Sequence, residues 1–233
     1  MIPLYIDIET IPAQSERLIA EVAANVRPPA QMKKAETIAK WEAEDKPAAI
    51  EEALKSTSFD GAYGEIIIIG AAVDNDAIKV FARPEIGAEP DVLEEFFTWL
   101  DLTVQQSDRA QIQVVGHNVA DFDLRFIWQR AVIQGITANP WMPWHSRPWG
   151  DRVYDTMTMW AGVGKRISLD KLCGVLGIAR KGTEIGEDID GSKVWDFWKA
   201  KRYEELAAYC AADVSRVREA HARMTFLPAR FSN

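Results

Sequence analysis

The chain has 233 residues, 48% of them apolar and nine of them tryptophan, with a formal net charge of −8. Those numbers suffice for one large domain around a continuous core and exclude a disordered chain. The acidic balance also excludes a protein that coats nucleic acid through a broad basic surface, since that mode runs on counterion release by many cations. It does not exclude an enzyme whose site is itself acidic, and the charge is uneven: from Asp121 to Lys181, nine basic residues stand against five acidic ones, a surplus of four positive charges.

In chain order, Leu4, Ile6 and Ile8 alternate with Tyr5, Asp7 and Glu9, a period of two that predicts a half-buried strand with both carboxylates on one face. The start, Met1 to Ile6, lacks a basic run and meets Asp7 early, so neither a signal peptide nor a membrane span is expected. Residues from about Ala13 to Ser58 are rich in Ala, Glu and Lys at helical spacing, broken at Pro28-Pro29 and Pro47. They read as two or three inserted helices forming a surface layer that buries Leu18, Val22, Ile38, Trp41 and Leu54; the alternative is a lid beside a binding site. Glu65 to Val73 and Ala77 to Ala82 read as strands joined by a hairpin turn at Asp74-Asn75-Asp76, so the first three strands run antiparallel.

After Pro90 the pattern predicts a helix through Phe96, Phe97 and Leu100, then a strand at Gln113 to Gly116, then a helix from about Asp121 to Gln134 with Asp123 in its first turn. The Pro/Trp-rich loop from Asn139 to Gly150 reads as indoles packed onto the core, with stacking on the bases of a single strand as the alternative. A short strand at Arg152 to Asp155 follows. Ser168-Leu169-Asp170 marks a helix start with Gly177 near its end. The last long helix, about Tyr203 to Met224, carries Tyr209 and Asp213 four residues apart on one face. Cys173 and Cys210 lie inside apolar helical patterns, which is how a reduced cytoplasmic protein uses cysteine. No interdomain linker or internal repeat interrupts the pattern, so residues 1–233 are expected to form a single domain.

Three sequence patterns carry chemistry: Asp7-Ile8-Glu9, Asn118-x-x-x-Phe122-Asp123 and Tyr209-x-x-x-Asp213. Each lies on an element able to converge with the others: a strand, the start of a helix after a strand, and a late helix. An acidic i, i+2 pair on a central strand repels itself and calls for a compensating cation. Carboxylates drawn from distant segments look like a two-metal nuclease site, because hard cations such as Mg²⁺ take oxygen ligands and keep positions open for water and phosphate oxygens. Asp155 reads as a structural carboxylate, His117 and His221 as packed or hydrogen-bonded residues, and His145 has no assigned role.

On these residues the chain resembles the DEDD superfamily of 3′-to-5′ exonucleases, its tyrosine subclass, and within it stand-alone proteins similar to the proofreading domain of family-B DNA polymerases. Tyr5 to Thr10 resembles the first exonuclease motif, Gly116 to Asp123 the second and Tyr209 to Val214 the third, with Ser168 to Asp170 and Gly191 to Trp195 as further counterparts. The histidine subclass would place His at position 208, which is Ala208. The resemblance implies an α/β, ribonuclease H-like fold: a five-stranded mixed sheet with helices on both faces and the helical insertion after the first strand.

It also implies two divalent ions, Mg²⁺ or Mn²⁺, with Asp7, Glu9 and Asp213 holding one and Asp7 with Asp123 the other. Tyr209 would orient the attacking water, and Thr10, Asn118 and Phe122 would contact the terminal nucleotide. The implied activity is release of 5′-mononucleotides from the 3′ end of DNA, single-stranded by preference, in a proofreading or repair setting, with a polymerase or helicase partner supplying processivity and no membrane. The alternatives are a 3′-to-5′ exoribonuclease, a catalytically silent nucleic-acid-binding module of the same fold, and an unrelated metal-binding protein.

Overall fold

In the computed structural model, which describes residues 1–105, 111–186 and 190–226, five strands form one sheet in the order β3-β2-β1-β4-β5. β1 (Ile2–Ile11) pairs antiparallel with β2 (Glu65–Val73), which pairs antiparallel with β3 (Lys79–Ala82). On the other side β1 pairs parallel with β4 (Ile112–Gly116), and β4 with β5 (Val153–Asp155). The expected mixed sheet is therefore present, with β1 at its centre.

The two faces of β1 go to different layers. Leu4, Ile6 and Ile8 join an apolar core with α4 (Glu89–Val104) and α5 (Asp123–Gln134). Tyr5 packs on the opposite face against α7 (Leu169–Leu176) and α9 (Tyr203–Met224), and Ile11 lies near α8 (Val194–Lys199) and α9. Between β5 and α7 runs the short helix α6 (Thr156–Ala161). α9 reaches the sheet closely because Gly70, opposite Asp7 in β2, has no side chain; a Cβ there would come within 2.9 Å of Cys210 Sγ and 3.0 Å of Val214 Cγ2.

The insertion is three helices, α1 (Glu16–Asn25), α2 (Ala35–Glu44) and α3 (Lys46–Ser56). Its neck is tied to the end of β1: Thr10 Oγ1 donates to Ser58 O at 2.6 Å, and Ala13 N donates to Thr57 Oγ1 at 2.9 Å. The expected burial is corrected here. Trp41 alone among the five apolar residues is buried, and Leu18, Val22, Ile38 and Leu54 are half-buried. A thin layer rich in Ala, Glu and Lys lacks the bulk to cover a continuous stripe.

In the tryptophan loop, Trp141 and Trp144 pack against the core. Their indole N–H groups donate to Asp101 Oδ1 and Asn139 O. Trp149 is exposed. Among the described residues, no helix is long and apolar enough to cross a membrane.

Candidate active site

The site forms where β1 outruns β4. Their pairing ends at Tyr5 and Val115, so the backbone of β1 beyond that point faces no strand on that side. The chain leaves β4 through Gly116, which packs against Val119, and enters α5. Asn118 takes a left-handed conformation (φ 64°), which asparagine tolerates better than most residues. Asp155 holds this turn with four backbone bonds: it accepts from Asn118 N and Ala120 N and, as N-cap of α6, from Met157 N and Thr158 N. The turn delivers Asp123 to the open edge of β1, where its Oδ1 accepts from Ile8 N at 3.0 Å, between Asp7 and Glu9. A carboxylate thus replaces the missing strand.

α9 supplies the other wall. Cys210 Sγ lies 3.6 Å from Asp7 O and 3.7 Å from Asp7 Oδ2, which fixes the helix against the strand. One turn on, Asp213 is buried and accepts from Arg216 Nη1 at 2.9 Å and from Lys181 Nζ. Lys181 Nζ also donates to Tyr209 OH at 2.7 Å. Arg216 in turn binds Glu184 and the carbonyls of Ala179 and Arg180, so the segment that carries Lys181 is clamped onto α9. The cleft above these groups, about 660 Å³, is lined by Asp7, His117, Ser168, Lys181 and Asp213 among others.

The electrostatics follow from crowding carboxylates in a dry place. Burial, then the charges of Asp213, Glu9 and Asp123, hold the Asp7 carboxyl well above the usual range. Glu9 is raised for the same reasons, burial first and Asp213 next. Burial pushes Asp123 up to about 7, although the amide of Ile8 opposes the shift. Lys181 is pulled down by burial and up by Asp213 and Asp7, and the carboxylates prevail. Burial and the neighbouring carboxylates also raise the Tyr209 phenol and the Cys210 thiol, so both stay protonated.

Oxygen donors that repel one another in low dielectric are what a hard divalent cation compensates. Ligand atoms of Asp7, Glu9 and Cys210 lie within 4.8 Å of one another. Of these, the protonated thiol is the poor partner for such an ion, so the fit is to the carboxylates.

Of the five residues expected to be catalytic, Asp7 and Asp213 line this cleft, and Glu9, Asp123 and Tyr209 lie close enough to interact electrostatically with them. The substrate contacts are mixed. The side chain of Asn118 is half-buried, and it makes no hydrogen bond to the described residues. Phe122 is half-buried against the core and Phe126. The hydroxyl proton of Thr10 is donated to Ser58 O, so its side chain has no donor left for a ligand. Lys181 was not singled out from sequence, since a lone lysine in a loop has no spacing signature; only the local basic surplus pointed toward it. Arg216 was missed as well, although it follows Asp213 by one helical turn.

Residues 61–233 match a family described as predicted 3′-5′ exonucleases related to the exonuclease domain of PolB. The chain belongs to that family. The matched residues include the second and third motifs and leave β1 with Asp7 and Glu9 outside. The family B DNA polymerase from the hyperthermophilic archaeon Pyrobaculum calidifontis is similar in structure, with a TM-score of 0.58 and 18% identity. The similarity covers 97% of this chain but 24% of the polymerase, so the chain spans about a quarter of that protein's length. It shows the fold, which is ribonuclease H-like. No curated protein matches the chain.

Proposed function

We propose that residues 1–233 act as one exonuclease domain of the tyrosine subclass, which removes 5′-mononucleotides from the 3′ end of single-stranded DNA. The gathering of Glu9, Asp123 and Tyr209 around Asp7 and Asp213, which line the cleft, carries this reading. Asp7, Glu9 and Asp213 would hold one Mg²⁺ or Mn²⁺, and Asp7 with Asp123 the second. When bound, such ions supply an acidified water for attack near neutral pH and positive charge beside the departing 3′ oxygen.

The remaining roles belong to the chain. Tyr209, too high in pKa to act as a base, keeps its proton and orients the attacking water. Lys181 holds the Tyr209 oxygen in place and offsets the charge of Asp213. Asn118, Phe122 and the backbone of Thr10 border the terminal nucleotide. Asp155 touches no reacting atom; it fixes the turn that aims Asp123.

Product analysis tests this directly. Unlabelled single-stranded DNA incubated with Mg²⁺ or Mn²⁺ should yield 5′-mononucleotides and no nucleosides or internal fragments, and EDTA should stop the reaction. Nucleosides, oligomers or an intact strand would reject the reading. Faster release from RNA of the same sequence would move the substrate to a 3′-to-5′ exoribonuclease's.

A further inference from the structure

The stretch from α6 to the start of α7 has a composition that the site does not explain. Met159, Trp160 and Val163 are exposed, at 48%, 46% and 67%, although large apolar side chains of this kind usually find cover. Two residues further on, Lys165 and Arg166 are exposed. From Thr156 to Lys181 five basic residues, Lys165, Arg166, Lys171, Arg180 and Lys181, stand against Asp170 alone, in a chain whose net charge is −8. Asp170 is already bound by Arg180. Among the described residues no carboxylate pairs with Lys165, Arg166 or Lys171.

The segment is anchored at both ends by one side chain at the cleft. His117 Nδ1 meets Thr156 Oγ1 at 2.9 Å, and His117 Nε2 meets Ile167 O at 2.8 Å. His117 itself lines the cleft, as do Ser168 to Asp170 just past the second anchor. Between the anchors, Gly162 and Gly164 take positive φ (87° and 74°), and Lys165 N turns back to Gly162 O at 3.1 Å. The result is a strap with an exposed indole on one limb and two unpaired cations on the other, both ends held by His117, which lines the cleft.

We propose that this strap is a track for single-stranded nucleic acid 5′ of the bond being cut. Trp160 stacks on a base, and Lys165 and Arg166 neutralise backbone phosphates. This rests on the reading that the cleft holds a 3′ end. A sequence-tolerant strand binder combines these two features, an aromatic platform and a cationic path along the backbone. A protein partner would also suit an exposed indole, but cations without local counter-charges, on a segment held by a side chain that lines a cleft of carboxylates, favour a polyanion whose end enters that cleft. Elsewhere the acidic chain would repel the strand, so the strap supplies a local exception.

The test compares wild type with the triple variant Trp160→Ala, Lys165→Ala, Arg166→Ala. Binding of a 5′-fluorescent oligothymidylate of about 20 nucleotides is followed by anisotropy in EDTA across a salt series. The p-nitrophenyl ester of thymidine 5′-monophosphate, too short to reach the strap, reports hydrolysis with Mn²⁺. The variant should bind the oligomer ~10-fold or more weakly. Its slope of log K against log salt should fall by about 1.4, or ~0.7 for each lost phosphate contact. Ester hydrolysis should be unchanged.

Equal affinity and slope in the two proteins would overturn the strap, as would a wild type that binds no oligomer. A parallel loss of ester hydrolysis would show damage to the site and would also overturn it as a separate track. A wild type that binds through the strap yet hydrolyses neither substrate would reject the exonuclease and leave the strap standing.

Discussion

The two faces of β1 treat buried charge in opposite ways. Toward α4 and α5 the buried ion pair is closed: Glu89 accepts from Arg130 at 2.7 Å, from Ile66 N at 2.8 Å and from Gln134. Its polar atoms are occupied, and Leu4, Ile6 and Ile8 seal the surrounding core. Toward α9 and the open edge of β1 the balance is left open. Asp7, Glu9, Asp123 and Asp213 outnumber Lys181 and Arg216, and three of the four carboxyls are held above their ordinary range by burial and mutual repulsion. The same ten-residue strand is thus sealed by apolar core on one side and bears an under-compensated group of carboxylates on the other. A closed polar network rigidifies, whereas an unsatisfied acidic one stores free energy that an ion releases.

The contrast breaks first at its chemical extreme. Asp7→Asn should lower metal-dependent nuclease activity by at least about a hundredfold, the order (~10²–10³) lost when one preorganised group that stabilises transition-state charge is removed. Circular dichroism should show the fold retained; activity within a few-fold of wild type would contradict the assignment. On the opposite face, Ile6→Ala should cost about 2–5 kcal/mol of folding stability, the usual range for emptying a buried aliphatic site. Chemical denaturation measures that loss, and activity per folded molecule should not change. A variant with intact stability would mean that Ile6 does not carry the core.

A subtler effect sharpens the comparison. Asp123 has a folded pKa of about 7, above its ordinary 3.8, so in the metal-free protein its contribution to stability is full below about pH 4 and is lost as pH rises through 7. Asp123→Asn keeps an oxygen for Ile8 N and removes the charge. Without metal above pH 7 it should therefore melt higher than wild type, by about 2–4 °C for each kcal/mol relieved. Added Mn²⁺ should stabilise wild type more than the variant. A lower metal-free melting temperature at pH 8 would show that the carboxylate is not strained.

Tyr209→Phe should give the smallest change, a ~10-fold slower reaction or about 1.4 kcal/mol of barrier. Metal affinity should stay the same, because no carboxylate is lost. An unchanged rate would remove the tyrosine from the mechanism.

Much of this was legible in the sequence where a single periodicity decides the outcome. The alternation from Leu4 to Glu9 placed both carboxylates on one face, and the apolar stripe of α9 fixed which way Tyr209 and Asp213 point. Less was legible where a residue depends on a partner far along the chain. The hydroxyl of Thr10 is engaged by a carbonyl at the far end of the insertion, and Lys181 reaches Tyr209 and Asp213 from a loop without periodicity. Asn118 illustrates a mixed signal, since its place in the second motif is also what a left-handed turn prefers. The insertion misled in degree: its spacing announced helices, but only Trp41 had the size to become buried.

The most direct test of a cation-dependent exonuclease site is a gel time course on single-stranded DNA labelled at its 5′ end, using wild type and Asp123→Ala with Mg²⁺, Mn²⁺ or EDTA. A ladder that shortens from the 3′ end with metal, and is absent with EDTA and in the variant, is the predicted result. Cleavage that persists in EDTA or in Asp123→Ala, or a strand left intact by wild type under every metal, would contradict it.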